Sequence, residues 1–334
     1  MNKIKTLCKY IKNMDFKNML KIVKKVSKKS GKLRIIIFLD MVYCGLIYGA
    51  GYYDYQEFEF YKLKRKQRKT YLTRTKNNSI IRRYNNKEKH IKFDDKEKFN
   101  KLFKKFIKRD YLVVDAKKYK EFSEFIKKHS EFIAKPVDGV GGFGVEKIVI
   151  DKKTKKKELF NKLIENNQCL LEELIIQHSE ISKLYNGAVN TLRIFTFYDG
   201  KNAHIVNSVF KIGNGGVTDN FSSGSMYTFV DEEEGIVIVP AIDQKDKRYT
   251  IHPISKKNII GFEVPLYDEA VQMVKEAAKV IPDVKYVGWD VAITEFGAVL
   301  IEGNSFPGVY QIKPSFTHHK NGLIPKYKKV MKIK

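Results

Sequence analysis

Residues 135–150, from Lys135 to Ile150, are KPVDGVGGFGVEKIVI. Gly139, Gly141, Gly142 and Gly144 place four glycines in six positions. A loop of that kind lets the backbone approach a polyphosphate and aim N–H groups at it. Gly139 to Gly144 also spells G-x-G-x-x-G, but a dinucleotide-binding turn must lead into a helix. Here the strand-like VEKIVI follows, so the dinucleotide fold fails its context. A kinase glycine loop also joins two strands, yet no H-R-D or D-F-G motif follows anywhere. Lys135, just ahead of the loop, adds a cation placed to meet phosphate oxygens. The plain alternative is a glycine hairpin with no ligand.

Downstream, short strands alternate with turns. FIAKPV, VEKIVI and QCLLEE come first, then the longer NTLRIFTFYDG and AHIVNSVFKIG. Asp199-Gly200 between the last two is a strong hairpin signal. EVPLYDEAVQMVKEAAKVI spaces Val271, Val274, Ala278 and Ile281 for the core face of a helix. YVGWDVAIT and GAVLIEGN then flank a turn at Phe296-Gly297. Antiparallel pairs mixed with helices, without internal repeats, predict an α+β fold. Asp290 and the pair Glu302/Asn304 fall on adjacent predicted strands, and alternation puts Glu302 and Asn304 on one face. Two carboxylates and an amide oxygen make a hard oxygen site suited to Mg²⁺ with phosphates. Glu172-Glu173-Leu174-Ile175 ends a strand and, with Glu180, could offer backbone groups to an adenine edge and a carboxylate to ribose hydroxyls. Glutamate-rich strand ends are common, so that segment says little alone.

Upstream, charge dominates. The 334 residues carry a net charge of +26, of which residues 1–134 hold +23 and residues 135–334 only +3. Lysine far outnumbers arginine, which base readers favour, so no nucleic-acid partner is expected. An anionic membrane or anionic glycan suits the basic part, and a solvated lysine-rich surface is the plainer reading. Residues 1–33 predict a basic amphipathic helix through Ile11, Met14, Leu20, Val23 and Val26. Residues 35–53 are the stretch nearest to spanning length, but Asp40 and three glycines favour a buried helix. Tyr55, Phe58, Tyr61 and Leu63 fit one helix face, residues 76–90 read as a polar loop, and Asp94-Asp95 opens a helix over KEKFNKLFKKFIK. A second short helix is expected near 117–128. Cys8, Cys44 and Cys169 are too few for a disulfide framework, and MNKIKTLCKYIKNM lacks a signal-peptide apolar run. A cytoplasmic protein is expected, with a peripheral place at the inner membrane face as an option. His178, His204, His252, His318 and His319 show no metal-ligand spacing.

Taken in order, the lysine, the glycine loop, the glutamates and the Asp with Glu-x-Asn resemble the ATP-grasp superfamily. The resemblance implies two α+β lobes clamping ATP, after a helical basic N-terminal extension over residues 1–92. The catalytic region would run over 93–334, with a small nucleotide-clamping lobe near 130–175 and a metal-bearing lobe near 176–334. It implies that Lys135 and Lys96, with Lys98 as a near rival, meet phosphates. Glu172, Glu173, Leu174 and Ile175 would form the adenine hinge, and Glu180 would hold the ribose. Asp290, Glu302 and Asn304 would hold Mg²⁺, with two ions expected and Mn²⁺ as an alternative. Asn190-Thr191-Leu192-Arg193-Ile194, Asp219 to Gly224, and YGAGYYDYQEFEFYKL resemble, more narrowly, the sugar-transfer-associated ATP-grasp group. Gly224-Ser225 stands where that group has paired glycines.

What the resemblance implies is an ATP-dependent carboxylate–amine ligase working through an acylphosphate. Its partners would be ATP, a carboxylate such as a uronic acid or glycan precursor, and an amine such as an amino acid. Arg193 is a forked donor for the transferred group, with Lys211 and Asn220 near phosphate or substrate. A kinase acting on a sugar hydroxyl and a non-catalytic nucleotide-binding module are the alternatives.

Overall fold

The structure, a computed structural model, describes residues 15–138, 144–216, 219, 221 and 224–332. These divide into two compact units, residues 15–80 with 308–329 and residues 81–307 with 330–332.

The first unit is helical. Helix α1 spans Phe16–Ser30, with the Asp15 side chain accepting from Asn18 N at its start and left-handed Gly31 at its end. It buries Met19, Ile22, Val23 and Val26. Helix α2, Arg34–Tyr48, buries Ile37, Met41, Cys44 and Tyr48. The sequence predicts a buried helix here, but only that stripe is covered: Ile35, Ile36, Leu39 and Leu46 are exposed. The charge inside the run is accommodated, because Asp40 accepts both guanidinium nitrogens of Arg68 at 2.7 Å and the Tyr55 hydroxyl at 2.6 Å. Tyr55, Phe58, Tyr61 and Leu63 are all buried, but not along one helix. The helix Tyr52–Glu57 stops, Glu59 turns left-handed (φ 46°), and a 3-10 turn Phe60–Lys62 follows. Residues 76–90 are not a loop throughout. Arg74–Tyr84 is helical although Ile80 and Ile81 are its only large apolar side chains before Tyr84, and Arg74 anchors its start on Asp54 and Glu57 at 2.5 and 2.6 Å. The C-terminal segment returns to this unit through Gln311, which exchanges hydrogen bonds with the Leu72 backbone.

The second unit holds two antiparallel sheets. Strands β1 (Tyr111–Val113), β2 (Glu131–Lys135), β3 (Glu146–Val149) and β4 (Leu170–Glu173) form the small sheet in the order β1-β4-β2-β3. Helices Tyr119–Lys128 and Lys156–Glu165 close its core with Phe122, Phe125, Phe160 and Leu163. The large sheet contains β5 (Thr191–Tyr198), β6 (Ala203–Ile212), β7 (Met226–Phe229), β8 (Ala241–Ile242), β9 (Arg248–Tyr249), β10 (Tyr286–Thr294) and β11 (Gly297–Asn304). Its order is β11-β10-β5-β6-β7-β8-β9. The hairpins at Asp199-Gly200 and Phe296-Gly297 fall where the sequence puts them, with Gly200 and Gly297 at φ 106° and 123°. Helix Tyr267–Ala277 buries Ala270, Val271, Val274 and Ala277 in the core of this sheet. Among the described residues no helix is long and apolar enough to cross a membrane.

Candidate active site

Three neighbouring strands line up the charged residues of the large sheet. In register, Arg193 on β5 lies opposite Asp290 on β10, and Asp290 lies opposite Glu302 on β11. Arg193 grips Asp290 through Nε and through Nη2, the latter at 2.6 Å, and its Nη2 is 3.7 Å from Glu302. Lys211, from β6, reaches Asp290 at 3.1 Å and Asp219 at 3.6 Å, and Thr191 donates to Asp219. Asn304 donates to Glu302 at 3.2 Å, which turns its amide oxygen away from that carboxylate. Two glycines make room for this row. A Cβ on Gly288 would sit 3.2 Å from the Arg193 side chain, and one on Gly303 would sit 2.8 Å from Trp289 and 3.0 Å from Phe93. The spacer in Glu302-Gly303-Asn304 therefore has to be glycine, since both neighbours belong to the aromatic core.

The electrostatics of the row are uneven. Burial alone would raise the Asp290 carboxyl, but Arg193 and Lys211 outweigh it and hold it well below the usual carboxylate range. Glu302 goes the other way, raised by burial and then by the negative charge of Asp290. Its side chain keeps 45% exposure, so solvent softens that rise. Asp219 is likewise raised by burial, against the pull of Lys211. Lys211 stays protonated because Asp219 and Asp290 outweigh its own burial. Three carboxylates thus share two cations. The repulsion left on Glu302 fits a hard divalent cation such as Mg²⁺, and Asn304 would join its ligands only with the amide turned over from its present contact with Glu302.

The small sheet carries the opposite surplus. Glu172 on β4 is buried, accepts from Lys135 at 2.7 Å and Asn100 at 2.9 Å, and forms an ion pair with Arg109 at 3.0 Å. Burial would raise it, but Arg109 and Lys135 hold it far below the normal range. Arg109 also donates to Leu300 O on β11 at 2.6 Å, so one guanidinium links both sheets. Lys96 opens the helix Lys96–Leu102, capped by Asp95 and held over β11 by Phe93, Phe99 and Phe103 packed with Trp289. Its backbone N meets Val137 O at 3.2 Å, next to the glycine loop. Burial and then Lys135 lower the Lys96 ammonium, while Glu302 and Glu172 pull it up, so it senses both ends of the site. Lys98, its rival, is 55% exposed and pairs with Asp95 at 3.0 Å.

The remaining residues of the sequence reading fall as follows. Gly139, Gly141, Gly142 and Asn220 lie outside the described residues. Gly144 is left-handed (φ 71°) against Pro136. Glu173 accepts from Asp110 N at 2.9 Å, and Leu174 and Ile175 form an irregular half-buried segment. That segment is tied to the large sheet by His178 N donating to Ile293 O at 2.7 Å. Glu180 is exposed and pairs with Lys183 at 2.5 Å; no described contact joins it to the buried cluster. Lys135, Lys96, Glu172, Arg193, Lys211, Asp290, Glu302 and Asn304 are the residues brought together, with Arg109 and Asn100 as members the sequence did not announce. Arg109 hides in the lysine-rich KKFIKRDYL, and Asn100 is a polar residue on a phenylalanine-lined helix face, which was the one available signal.

The family model for sugar-transfer associated ATP-grasp proteins matches residues 75–331. No curated protein matches the chain. Among solved structures, the ATP-grasp ligase PsnB complexed with minimal precursor aligns at 14% identity and TM-score 0.41 over 75% of this chain and 63% of its own. D-alanyl-alanine synthetase A from Vibrio cholerae aligns at 11% identity and TM-score 0.41 over 72% and 60%. D-alanine–D-alanine ligase from Bacillus anthracis aligns at 15% identity and TM-score 0.38 over 72% and 62%. The chain spans about three-fifths of the length of these structures. With most of its length matched, from the helix at Arg74 to the last described helix, the chain belongs to the sugar-transfer associated ATP-grasp family.

Proposed function

We propose that the protein is an ATP-dependent ligase that joins a carboxylate to an amine. ATP-grasp proteins generally use ATP and Mg²⁺. The observation that carries the reading is the pair of opposite charge surpluses described above. Lys96, Lys135 and Arg109 outnumber Glu172, which suits an anionic triphosphate. Asp219, Asp290 and Glu302 outnumber Arg193 and Lys211, which suits the cations that accompany one.

In this reading Lys135 and Lys96 hold phosphate oxygens, and the segment Glu173 to Ile175 lies along the base, with Glu180 toward the ribose. The Glu172 side chain acts one step back, fixing Lys135 and Arg109. Asp290, Glu302 and Asn304 hold Mg²⁺, two ions being the expected number, which neutralises phosphate charge when bound. A substrate carboxylate oxygen bonds to the γ-phosphorus while the bond from that phosphorus to the ADP oxygen breaks. Arg193 and Lys211 orient the group in transit. The amine then adds to the acyl carbon, the acyl carbon–oxygen bond breaks, phosphate leaves, and the amine nitrogen loses its proton to solvent. The family's association with sugar transfer points to a uronic acid or glycan precursor as the carboxylate and to an amino acid as the amine. The protein acts in the cytoplasm.

The test is an ADP-release screen of uronic acids and acidic sugars against amino acids, with hydroxylamine added in parallel. A ligase yields a hydroxamate from the correct carboxylate without any amine. A stable phosphoester in place of the hydroxamate means a sugar kinase. ATP binding without turnover across the whole screen means a nucleotide-binding module.

A further inference from the structure

Helix α2 has two apolar sides, and among the described residues only one of them is covered. Ile37, Met41, Cys44 and Tyr48 recur at helical spacing on the buried stripe. At 100° per residue, Ile35, Ile36, Leu39, Val42, Leu46 and Ile47 fall on the opposite half of the helix. All six are exposed, Leu39 and Leu46 at 60% and 56%. No charged side chain falls among them: Arg34 stands at the helix start, and Asp40 is turned to Arg68 and Tyr55. Among the described residues this face is uncovered, and contiguous apolar surface of that kind marks an interaction site. The surroundings say what kind. Between residues 15 and 40 there are eight lysines and arginines against Asp15 and Asp40, and seven of the eight precede the face on α1 and its turn. The lysines of α1 at positions 17, 21, 24, 25, 28 and 29 are exposed. A second copy of the chain seated on this face would bring a second set of the same positive charges against the first. An anionic bilayer accepts the apolar face among its acyl chains and the lysines among its head groups. At 15 residues α2 is about 22 Å long, too short to cross the hydrocarbon and suited to lying in its boundary.

We propose that the first unit is a membrane-surface anchor in which the uncovered face of α2 enters an anionic leaflet and the lysines of α1 hold the lipid head groups. The reading is independent of which reaction the second unit performs. It is tested with the full-length protein by flotation with vesicles of equimolar phosphatidylglycerol and phosphatidylcholine, and with vesicles of phosphatidylcholine alone. Wild type floats with the anionic vesicles, at least about tenfold more weakly with neutral ones, and releases as salt rises. The variant Leu39→Glu/Leu46→Glu loses at least about tenfold in anionic-vesicle affinity. Its melting temperature and its affinity for a non-hydrolysable ATP analogue stay at the wild-type values. If the acidic pair fails to fold, Leu39→Gln/Leu46→Gln carries the same expectation. Wild type that stays unbound with anionic vesicles at low salt overturns the proposal, as does a folded variant that floats as well as wild type. A lipid-free dimer that the same substitutions convert to monomer also overturns it, because the face then belongs to a second copy.

Discussion

The surroundings of Glu172 and of Glu302 use the same side-chain chemistry to opposite ends. One carboxylate sits among Arg109, Lys135 and Lys96; three carboxylates sit around Arg193 and Lys211. Buried charges seldom add net stability over apolar side chains, but removing one partner is expensive because it strands the other. The difference between the two regions is therefore one of sign, a cationic surplus around Glu172 and an anionic surplus around Arg193 and Lys211. The largest effect expected from breaking this contrast is at Asp290, which serves two buried cations. Asp290→Ala strands the twin contacts of Arg193 and one contact of Lys211, and should lower unfolding free energy by about 3–5 kcal/mol. Urea denaturation followed by fluorescence of Trp289, in the same strand, reads it directly. A loss below about 1 kcal/mol would mean that the row is not held by charge.

Lys135 tests the cationic side. Glu172 keeps Arg109 and Asn100 when Lys135 is replaced, so the fold loses less than at Asp290. Lys135→Met is expected to weaken a non-hydrolysable ATP analogue by about 10- to 100-fold, the range of a lost charge-assisted hydrogen bond. Titration calorimetry checks it. Unchanged affinity would detach the lysine from the nucleotide and leave it as a partner of Glu172 alone.

Much of this was legible in the sequence, for a physical reason. Glu302 and Asn304 share a face by strand alternation, a local property that follows from counting residues, whereas Asp290 comes opposite Glu302 only because the register shifts between Asp290 and Val291, which counting from the hairpin does not give. Lys135 is fixed by its place before the glycines. What was not legible depends on distant contacts. Arg109 gains its meaning from Glu172 and Leu300, which are 63 and 191 residues away. Glu172 reads as a hinge glutamate, but only its neighbours show that its carboxylate is already occupied. The helix Arg74–Tyr84 has almost no apolar periodicity, and its start rests on Asp54 and Glu57. The composition of α2 gives its apolarity but not the direction in which half of it faces.

Glu302→Gln should show the contrast with Asp290 inside one site. The folded state raises the Glu302 carboxyl, so it binds a proton more readily than the unfolded chain does. Stability from this group is therefore greatest at low pH and falls as pH rises from the ordinary glutamate range through the raised one. At neutral pH the amide removes the repulsion with Asp290, and the folded protein should gain about 0.5 kcal/mol, small because solvent reaches the side chain. ADP production should nonetheless collapse, and nucleotide affinity should lose its dependence on Mg²⁺. The acid-side change in stability should flatten in the same variant. Normal ADP release by a folded Glu302→Gln protein would remove the carboxylate from the metal set.

The smallest expected effect separates two lysines two positions apart in the helix Lys96–Leu102, on nearly opposite sides of it. Lys98 is exposed and its partner Asp95 already accepts from the Lys98 backbone, so the ion pair adds little. Lys98→Ala should stay within about 0.5 kcal/mol of wild type in stability and leave ATP-analogue affinity unchanged. Lys96→Ala should weaken that affinity severalfold, because its half-buried ammonium lies in the fields of Lys135 and Glu302 together. A phosphate brought to Lys96 offsets the repulsion from Lys135, so binding should also draw the Lys96 ammonium back up toward its ordinary range. The reverse pattern, with Lys98→Ala impairing binding and Lys96→Ala silent, would move the phosphate contact to the solvent side of the helix and uncouple it from the glycine loop at Val137.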